Sequence, residues 1–276
     1  MRIERRKKMN NKNIFFLGCG KMGQIIVKNL LQNNIFDAKQ LLILKPTSQN
    51  LIPELKYIHR LSDIDQNYQA DIVFLCTKPQ NSAKILTEFS KKHIFHPKTI
   101  FISIMAGKNH DFFVNFFGKN AEIIRSMPNL GIAVNKSIVP LYSKNLSKEN
   151  KIIIEKIFDN FGKAFFIEDE ELFHIYTALY GCGPALIFLL QEILEQIAVK
   201  NNISKNLANE LTKILFASTA EISQNSTENF VELRQKVTSK KGVTASMLKN
   251  LIKNNKLQNL LQKSISNAVI KSKRLN

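Results

Sequence analysis

Three glycines near the start of the chain have the spacing of a turn that receives a phosphate group. Gly18, Gly20 and Gly23 follow the apolar run 14–17 and precede 24–32, where apolar residues recur at helical spacing. In a strand, turn and helix of this kind, the first glycine permits the tight turn. The second lets a pyrophosphate approach the backbone, and the third lets the helix pack closely on the strand. The sequence therefore predicts a dinucleotide-binding turn, with an ordinary glycine-rich turn as the alternative.

Further apolar runs predict a parallel sheet whose loops meet at one edge. The strands expected after the first are 40–44, 71–76, 99–104, 122–125 and 137–142, followed by a helix over 148–161 and a last short run over 164–167. In open α/β sheets, ligands bind outside the carboxyl ends of the strands. The amino-terminal half is thus predicted to be a Rossmann-like, doubly wound α/β domain with a cofactor cleft at that edge.

The end of the second predicted strand bears on which dinucleotide is bound. Lys45 stands there, with the hydroxyls of Thr47 and Ser48 close by in sequence. An acidic residue would hold the two hydroxyls of the adenine ribose, whereas a lysine with hydroxyls suits a 2′-phosphate. We therefore expect NADPH to be preferred over NADH. The alternative is a surface lysine without a role in binding, which leaves NADH open as the cofactor.

The charge and the cysteine and histidine content indicate which partners and which metal sites to expect. The 276 residues carry a formal net charge of +18, which by itself would favour nucleic acid or an anionic membrane as partner. The lysines are spread along the whole chain, however, and this favours a solvated basic surface. The three cysteines and five histidines match no metal or redox spacing, so we expect no metal and a cytoplasmic location. No apolar run approaches the ~20 residues of a membrane-spanning helix.

Three parts are expected along the chain. Residues 1–12 form a basic disordered tail, in which Met9 is an alternative translation start, and 13–168 form the dinucleotide-binding domain. Residues 169–276 form an all-α domain, since their periodicity is helical almost throughout. The helix after Gly183 is apolar on nearly all faces at its start and must be buried. A second copy of the chain is expected to bury it.

Four further segments make the sequence resemble pyrroline-5-carboxylate reductase over nearly its whole length. Met22, before the last glycine of the turn, also follows the family pattern. The segments are Lys78-Pro79, Arg125-Ser126-Met127-Pro128-Asn129, Gly181-Cys182-Gly183-Pro184-Ala185 and Val237-Thr238-Ser239-Lys240-Lys241-Gly242-Val243-Thr244. The resemblance implies NAD(P)H-dependent reduction of 1-pyrroline-5-carboxylate, a cyclic imine, to L-proline, the last step of proline biosynthesis. It also implies a carboxyl-terminal dimerisation domain and a homo-oligomer, either a dimer or a decamer built from dimers.

The resemblance further implies which residues form the site. Thr244 would supply a hydroxyl near the imine nitrogen, as proton relay or hydrogen-bond partner, although a threonine there is equally suited to cap a helix over 245–252. The substrate-binding residues expected are Ser239, Gly242, Val243, Thr244, Cys182 and Gly183. The cofactor-binding residues expected are Gly18, Cys19, Gly20, Lys21, Met22, Gly23, Lys45, Thr77, Lys78, Pro79, Ala106, Gly107 and Asn129.

Two lysines depart from the family pattern in the substrate loop. Lys240 stands where proline is usual, and Lys241 stands where the first of two glycines is usual. A glycine there commonly adopts a φ that a lysine would find costly. The altered loop leaves open a nucleotide-binding regulatory module with a degraded substrate loop. A related imine or β-hydroxyacid reductase is the other alternative, because that group shares a glycine fingerprint with methionine and a helical second domain. The partners expected are a small-molecule substrate and further copies of the chain, without nucleic acid or membrane.

Overall fold

The computed structural model describes Met9 and residues 11–46 and 52–275. The chain forms two compact units, Met1–Gly181 together with Val269–Asn276, and Cys182–Ala268. Most of the predicted tail lies outside the described residues. The same holds for the predicted hydroxyls of Thr47 and Ser48.

The first unit is built on one eight-stranded sheet. Its strands are β1 (Ile14–Leu17), β2 (Leu41–Leu44), β3 (Lys56–Ile58), β4 (Ala70–Leu75), β5 (Phe95–Ser103), β6 (Glu122–Ser126), β7 (Ser137–Tyr142) and β8 (Gly162–Phe166). They lie in the order β3-β2-β1-β4-β5-β6-β7-β8, and neighbouring strands are parallel except β6 and β7. This order confirms the predicted doubly wound sheet, because the chain reverses its direction of winding beside β1.

Helices cover both faces of the sheet. They are α1 (Lys21–Gln32), α2 (Ser82–Phe89), α3 (His110–Phe117), α4 (Lys148–Phe158) and α5 (Leu172–Tyr176). Ile14 and Phe16 of β1 pack with α1 and α4 in one core, whereas Phe15 and Leu17 pack with α2 and α3 in the other. A strand buried on both faces has no polar position to alternate with, which explains the unbroken apolar run.

The structure corrects some element boundaries. Strand β3 was not expected, because it is three residues long and only Ile58 is buried. The helix predicted over 148–161 ends at Phe158, and the strand predicted to begin at Thr99 begins at Phe95. These differences lie at the sheet edge or at element ends, where the apolar pattern is weakest.

The second unit is helical, as predicted, with no strand among its described residues. Its helices are α6 (Gly183–Lys200), α7 (Lys205–Asn225), α8 (Phe230–Lys236), α9 (Val243–Ile252) and α10 (Lys256–Lys273), whose last residues belong to the first unit. The apolar start of α6 is exposed in the single chain, where Phe188 is 55% exposed, so its predicted burial by a second copy stays a prediction. A surface of this kind needs a cover that one chain does not supply.

The compact units divide later than the predicted boundary between 168 and 169. Helix α5 stays with the first unit because Phe173 is buried there with Met127 and Ile167. Leu172–Lys200, which contains α5 and α6, is also long and apolar enough to cross a membrane by length and composition. The expectation that no apolar run approaches this length is therefore wrong, although one such helix is weak evidence for a membrane span.

Candidate active site

The first glycine of the turn is required by backbone conformation. Gly18 follows β1 and has φ +84°, a left-handed conformation that L side chains rarely adopt. A Cβ at this position would also lie 3.0 Å from Cγ2 of Thr77 and 3.3 Å from the carbonyl carbon of Cys76. The loops after β1 and β4 therefore pack directly on each other, as the sequence predicted.

The second glycine leaves room for a ligand at the start of α1. Gly20 is the N-cap of α1, and no side chain caps this helix. The first hydrogen bond of the helix runs from the Gln24 amide to the Gly20 carbonyl, at 2.9 Å. The amides of Lys21, Met22 and Gly23 therefore have no carbonyl partner within the helix. A Cβ on Gly20 would meet no atom within 4 Å. Such an open helix N-terminus is suited to a phosphate group.

The third glycine faces Cys76 and Cys19, and a Cβ there would make ordinary van der Waals contacts with both. A Cβ on Gly23 would lie 3.4 Å from Cβ of Cys76 and 3.6 Å from Sγ of Cys19. Burial raises the pKa of the Cys19 thiol to about 11, with Lys45 acting in the opposite direction, and burial raises that of Cys76 well above its usual value. Both thiols therefore stay protonated at neutral pH, and their role here is packing rather than nucleophilic chemistry.

Lys45 lies where the sequence placed it, at the end of β2 near the glycine turn. Its amide donates to the Ile58 carbonyl at 2.9 Å, and its carbonyl lies 2.8 Å from Nδ1 of His59. The residue is 8% exposed, and its charge acts on the Cys19 thiol. The positive charge of Lys45 thus acts beside the glycine turn, and its predicted contact with a phosphate stays a prediction.

The loops after β4 and β5 lie side by side. The hydroxyl of Thr77 contacts Sδ of Met105 at 3.9 Å, and Pro79 begins a short 3-10 turn that has Lys78 as its N-cap. Gly107, after β5, is buried and has φ +79°. These predicted cofactor residues therefore share the edge of the sheet that Gly18 occupies.

Asn129 already has two structural partners. Its side-chain oxygen accepts from the Gly131 amide at 2.9 Å, and its Nδ2 donates to the Tyr180 carbonyl at 3.0 Å. The side chain is 8% exposed and ties the loop after β6 to the end of the π-helical turn 177–181. Its predicted contact with a cofactor stays a prediction, since these bonds leave limited capacity for another.

A buried ion pair lies at the same edge and was missed by the sequence reasoning. Nη1 of Arg125, on β6, donates to Oε1 of Glu170 at 2.6 Å, and the same oxygen accepts from the His110 amide. The Arg125 guanidinium also lies 4.4 Å from the centre of the Phe173 ring. Arg125 belongs to the Arg-x-Met-Pro-Asn segment of the family pattern, but nothing local to that segment indicates Glu170, 45 residues away.

His110 is buried without a hydrogen bond to either ring nitrogen among the described residues. Burial lowers the pKa of His110, although Glu170 acts in the opposite direction. A histidine in the unfolded chain has a pKa of ~6.5 and takes up a proton below that pH. In the folded protein, the lowered pKa keeps the His110 ring neutral at the same pH. Below that pH the unfolded state binds more protons, so His110 makes folding stability fall as pH falls.

The predicted substrate loop in the second unit is a tight turn. The Gly242 amide donates to the Ser239 carbonyl at 3.1 Å, and Lys241 has φ +63° while Lys240 does not have a positive φ. This is the pattern of a type II turn, which favours proline at its second position and glycine at its third. Those are the residue types that the family pattern has where this chain has Lys240 and Lys241.

Gly242 and Thr244 begin helix α9. Gly242 is its N-cap, and a Cβ there would overlap Oγ of Ser239. Thr244 is the second residue of α9, so its alternative role as N-cap of a helix over 245–252 is wrong. The first amide to enter the helical ladder is that of Ser246, which donates to the Gly242 carbonyl at 3.1 Å. The amides of Val243, Thr244 and Ala245 therefore form an uncapped helix N-terminus, which favours an anion.

Cys182 and Gly183 occupy the start of another helix in the same unit. Cys182 is the exposed N-cap of α6, and the Ala185 amide donates to its carbonyl at 3.0 Å. A Cβ on Gly183 would meet no atom within 4 Å. The start of α9 is therefore an open helix N-terminus that suits a carboxylate, whereas α6 follows directly on the π-helical turn 177–181 and has Pro184, which lacks an amide N–H, in its first turn.

Two protein families and several relatives match this sequence. Residues 170–275 match the family described as pyrroline-5-carboxylate reductase dimerisation, and 13–107 match NADP oxidoreductase, coenzyme F420-dependent. Pyrroline-5-carboxylate reductase of Haemophilus influenzae is 28% identical over 244 residues, 87% of this chain and 89% of that protein. Pyrroline-5-carboxylate reductase 2 of Bacillus subtilis is 27% identical over 245 residues, 87% of each chain. These matches support membership of the pyrroline-5-carboxylate reductase family.

A solved member of this family has the same fold. Pyrroline carboxylate reductase of Plasmodium falciparum, whose structure contains NADP, superposes with a TM-score of 0.86 at 26% identity, covering 97% of this chain and 99% of that one. The family resemblance and the predicted fold class are thereby confirmed. The exposed start of α6 lies within the part of the chain that matches the dimerisation domain.

Proposed function

We propose that this protein reduces 1-pyrroline-5-carboxylate to L-proline, with NADPH as the preferred hydride donor. Membership of the pyrroline-5-carboxylate reductase family carries the proposal. The named relatives cover most of the chain, and the uncapped helix N-termini at Gly20 and Gly242 support it. The glycine turn and Lys45 would bind the cofactor, and the first residues of α6 and α9 would bind the substrate.

The residues of the first unit fit a phosphorylated dinucleotide. The uncapped amides of Lys21, Met22 and Gly23 would receive the pyrophosphate, and the absence of a Cβ on Gly20 would let it approach. The Lys45 ammonium would attract the 2′-phosphate that distinguishes NADPH from NADH. Further predicted contacts are Gly18, Cys19, Thr77, Lys78, Pro79, Ala106, Gly107 and Asn129. NADH remains a weaker substitute in this proposal.

The residues of the second unit fit a small carboxylate with a ring nitrogen. The α9 amides of Val243 and Thr244 and the turn Ser239–Gly242 would hold the carboxylate. Cys182 and Gly183, at the start of α6, would assist them. The hydroxyl of Thr244 has no hydrogen-bond partner among the described residues and would bond the ring nitrogen.

Reduction of the imine requires no strong acid or base from the protein. NADPH, when bound, supplies the hydride that the imine carbon accepts. An imine nitrogen is protonated far more readily than a ketone oxygen, so the substrate can arrive as an electrophilic iminium. Thr244 would then orient that nitrogen or relay its proton, and the N-terminus of α9 would fix the carboxylate. This agrees with a predicted site that contains no histidine.

The proposal includes a homo-oligomer in the cytoplasm. The dimerisation domain supports self-association, and a second copy is the expected cover for the apolar residues at the start of α6. A dimer, or a decamer built from dimers, would supply that cover. The three free cysteines suit a reducing compartment. Light scattering should show at least a dimer at micromolar concentration, and a monomer alone would contradict this part of the proposal.

Steady-state oxidation of NADPH in the presence of 1-pyrroline-5-carboxylate tests the proposed function, with proline measured as product. NADH should support the reaction with a lower kcat/KM. A regulatory module is the second candidate, because Lys241 places a non-glycine residue in the left-handed position of the substrate turn. Such a module would bind NADPH without turnover. A related reductase would oxidise NADPH with other imines or β-hydroxyacid substrates instead.

A further inference from the structure

The last described residues of the chain return to the first unit and meet the proposed cofactor edge. We call Val269–Leu275 the return segment; Val269–Asn276 group with the first unit rather than with the helices that precede them. Its contacts fall on Gly107 and on α5. Neither the glycine pattern nor the family segments pointed to this stretch.

Leu275 lies directly against Gly107. A Cβ built on Gly107 would overlap Cβ of Leu275 and would lie 3.1 Å from its Cα and carbonyl carbon. Gly107 is therefore glycine for two reasons: its φ of +79° is left-handed, and Leu275 fills the space that a side chain would need. The backbone of the loop after β5 is thus in contact with the return segment.

The return segment is held in place by α5. Oγ of Ser272, which is 5% exposed, lies 2.9 Å from Nδ1 of His174. Nζ of Lys273 lies 3.0 Å from Oε2 of Glu171, although both side chains are exposed and this pair contributes little. The buried bond between Ser272 and His174 is therefore the anchor that fixes where Leu275 lies.

The loop after β5 is also fixed at its far end and along its side. Glu170 accepts a hydrogen bond from the His110 amide while it pairs with Arg125. Ala106 packs against the cluster of Met127, Ile167 and Phe173. The loop is thus enclosed by the return segment, by the residues around α5 and by β6. In a doubly wound fold, the loops after β4 and β5 lie on the nicotinamide half of the cofactor, on the far side of the glycine turn from Lys45.

We propose that the return segment is a positioning element for the nicotinamide half of the NADPH site, acting through the contact of Leu275 with Gly107. The inference rests on the proposed function. It assigns no contact with the cofactor to Leu275 itself. Removing Leu275 frees the loop of Ala106 and Gly107 and leaves the residues proposed for the adenosine half unchanged.

The test compares chains that end at Lys273 and at Leu275. The second is the matched control, because it keeps every described contact of the return segment. For the chain ended at Lys273 we expect NADPH affinity, from fluorescence titration, and kcat to fall about ten-fold or more, because a misplaced loop loses the geometry for hydride transfer. Affinity for adenosine 2′,5′-bisphosphate, measured by isothermal titration calorimetry, should stay within about two-fold of the control. Unchanged NADPH affinity and kcat, or an equal loss for both ligands, would overturn the proposal.

A double-mutant cycle with Gly107→Ala isolates the contact. The left-handed φ makes alanine costly at position 107 in either chain, but the overlap with Leu275 exists only in the longer one. Gly107→Ala should therefore lower the melting temperature and NADPH affinity more in the longer chain than in the chain ended at Lys273. Equal effects in both chains would overturn the proposal. Ser272→Ala, which removes the anchor, should weaken NADPH more than adenosine 2′,5′-bisphosphate.

These readouts separate the inference from the proposed function. If the longer chain did not reduce 1-pyrroline-5-carboxylate, the proposed function would fail. The melting-temperature cycle would still show whether Leu275 constrains Gly107. If the longer chain were active and the cycle showed no coupling, the positioning role alone would fail.

Discussion

Lys241→Gly should stabilise the protein although it removes a side chain and adds a flexible residue. Lys241 has φ +63° in the turn from Ser239 to Gly242. A left-handed conformation costs a non-glycine residue about 1–2 kcal/mol. Glycine also makes the unfolded chain more flexible, and this offsets about 0.4–1 kcal/mol of the stabilisation. The difference is a stabilisation of about 0.8 kcal/mol at the centre of the two ranges, to be measured as the free energy of unfolding in urea at fixed protein concentration.

Lys240→Gly is the matched control. It removes the same charge from the adjacent position, but Lys240 does not have a positive φ, so no strain is relieved. The variant should be destabilised by about 0.4–1 kcal/mol, the cost of glycine in the unfolded chain. Lys241→Asn, which tolerates the left-handed region, should lie between Lys241→Gly and the unmodified chain. A loss of stability in Lys241→Gly equal to that in Lys240→Gly would refute the reasoning.

Four further predictions follow from the site. Gly20→Val should weaken NADPH binding at least about ten-fold with little loss of stability, whereas Gly23→Val, which has Cys76 within 3.4 Å of its Cβ, should lower the melting temperature. Thr244→Ala should lower kcat while the Kd for NADPH stays unchanged, and Thr244→Ser should restore much of the rate; an unaltered rate in Thr244→Ala would reject the assignment. His110→Phe should reduce the fall in melting temperature between pH 7.5 and 5.5, since it removes a buried ring that takes up a proton on unfolding; the same fall in both proteins would contradict this. Lys45→Met should lower the kcat/KM ratio of NADPH to NADH about ten-fold, and an unchanged ratio would remove Lys45 from cofactor selection.

Much of the first unit could be predicted because its pattern is local. The apolar run of β1, the three glycines and the helical spacing of α1 lie within twenty residues, and Gly18 and Gly20 have the local geometry that their predicted roles require. The positive φ at Lys241 could also be anticipated, since the family pattern has glycine there. In each case, conformation is set by neighbours in sequence.

What could not be predicted depends on contacts between distant residues. Glu170 pairs with Arg125 across 45 positions, and Leu275 meets Gly107 across more than 160. The role of Thr244 as N-cap was wrong by two residues, because Gly242 already begins α9. Burial of α6 was predicted from its composition, but the single chain leaves it exposed, since the proposed cover is another copy.

The central claim is that this chain transfers hydride from NADPH to 1-pyrroline-5-carboxylate. The most direct test is a single-turnover experiment with NADPH carrying deuterium in the transferred position, followed by mass spectrometry of the product. We expect proline labelled with one deuterium on the former imine carbon, formed at the same rate as NADPH is lost. NADPH that stays bound and unoxidised beside saturating substrate would contradict it.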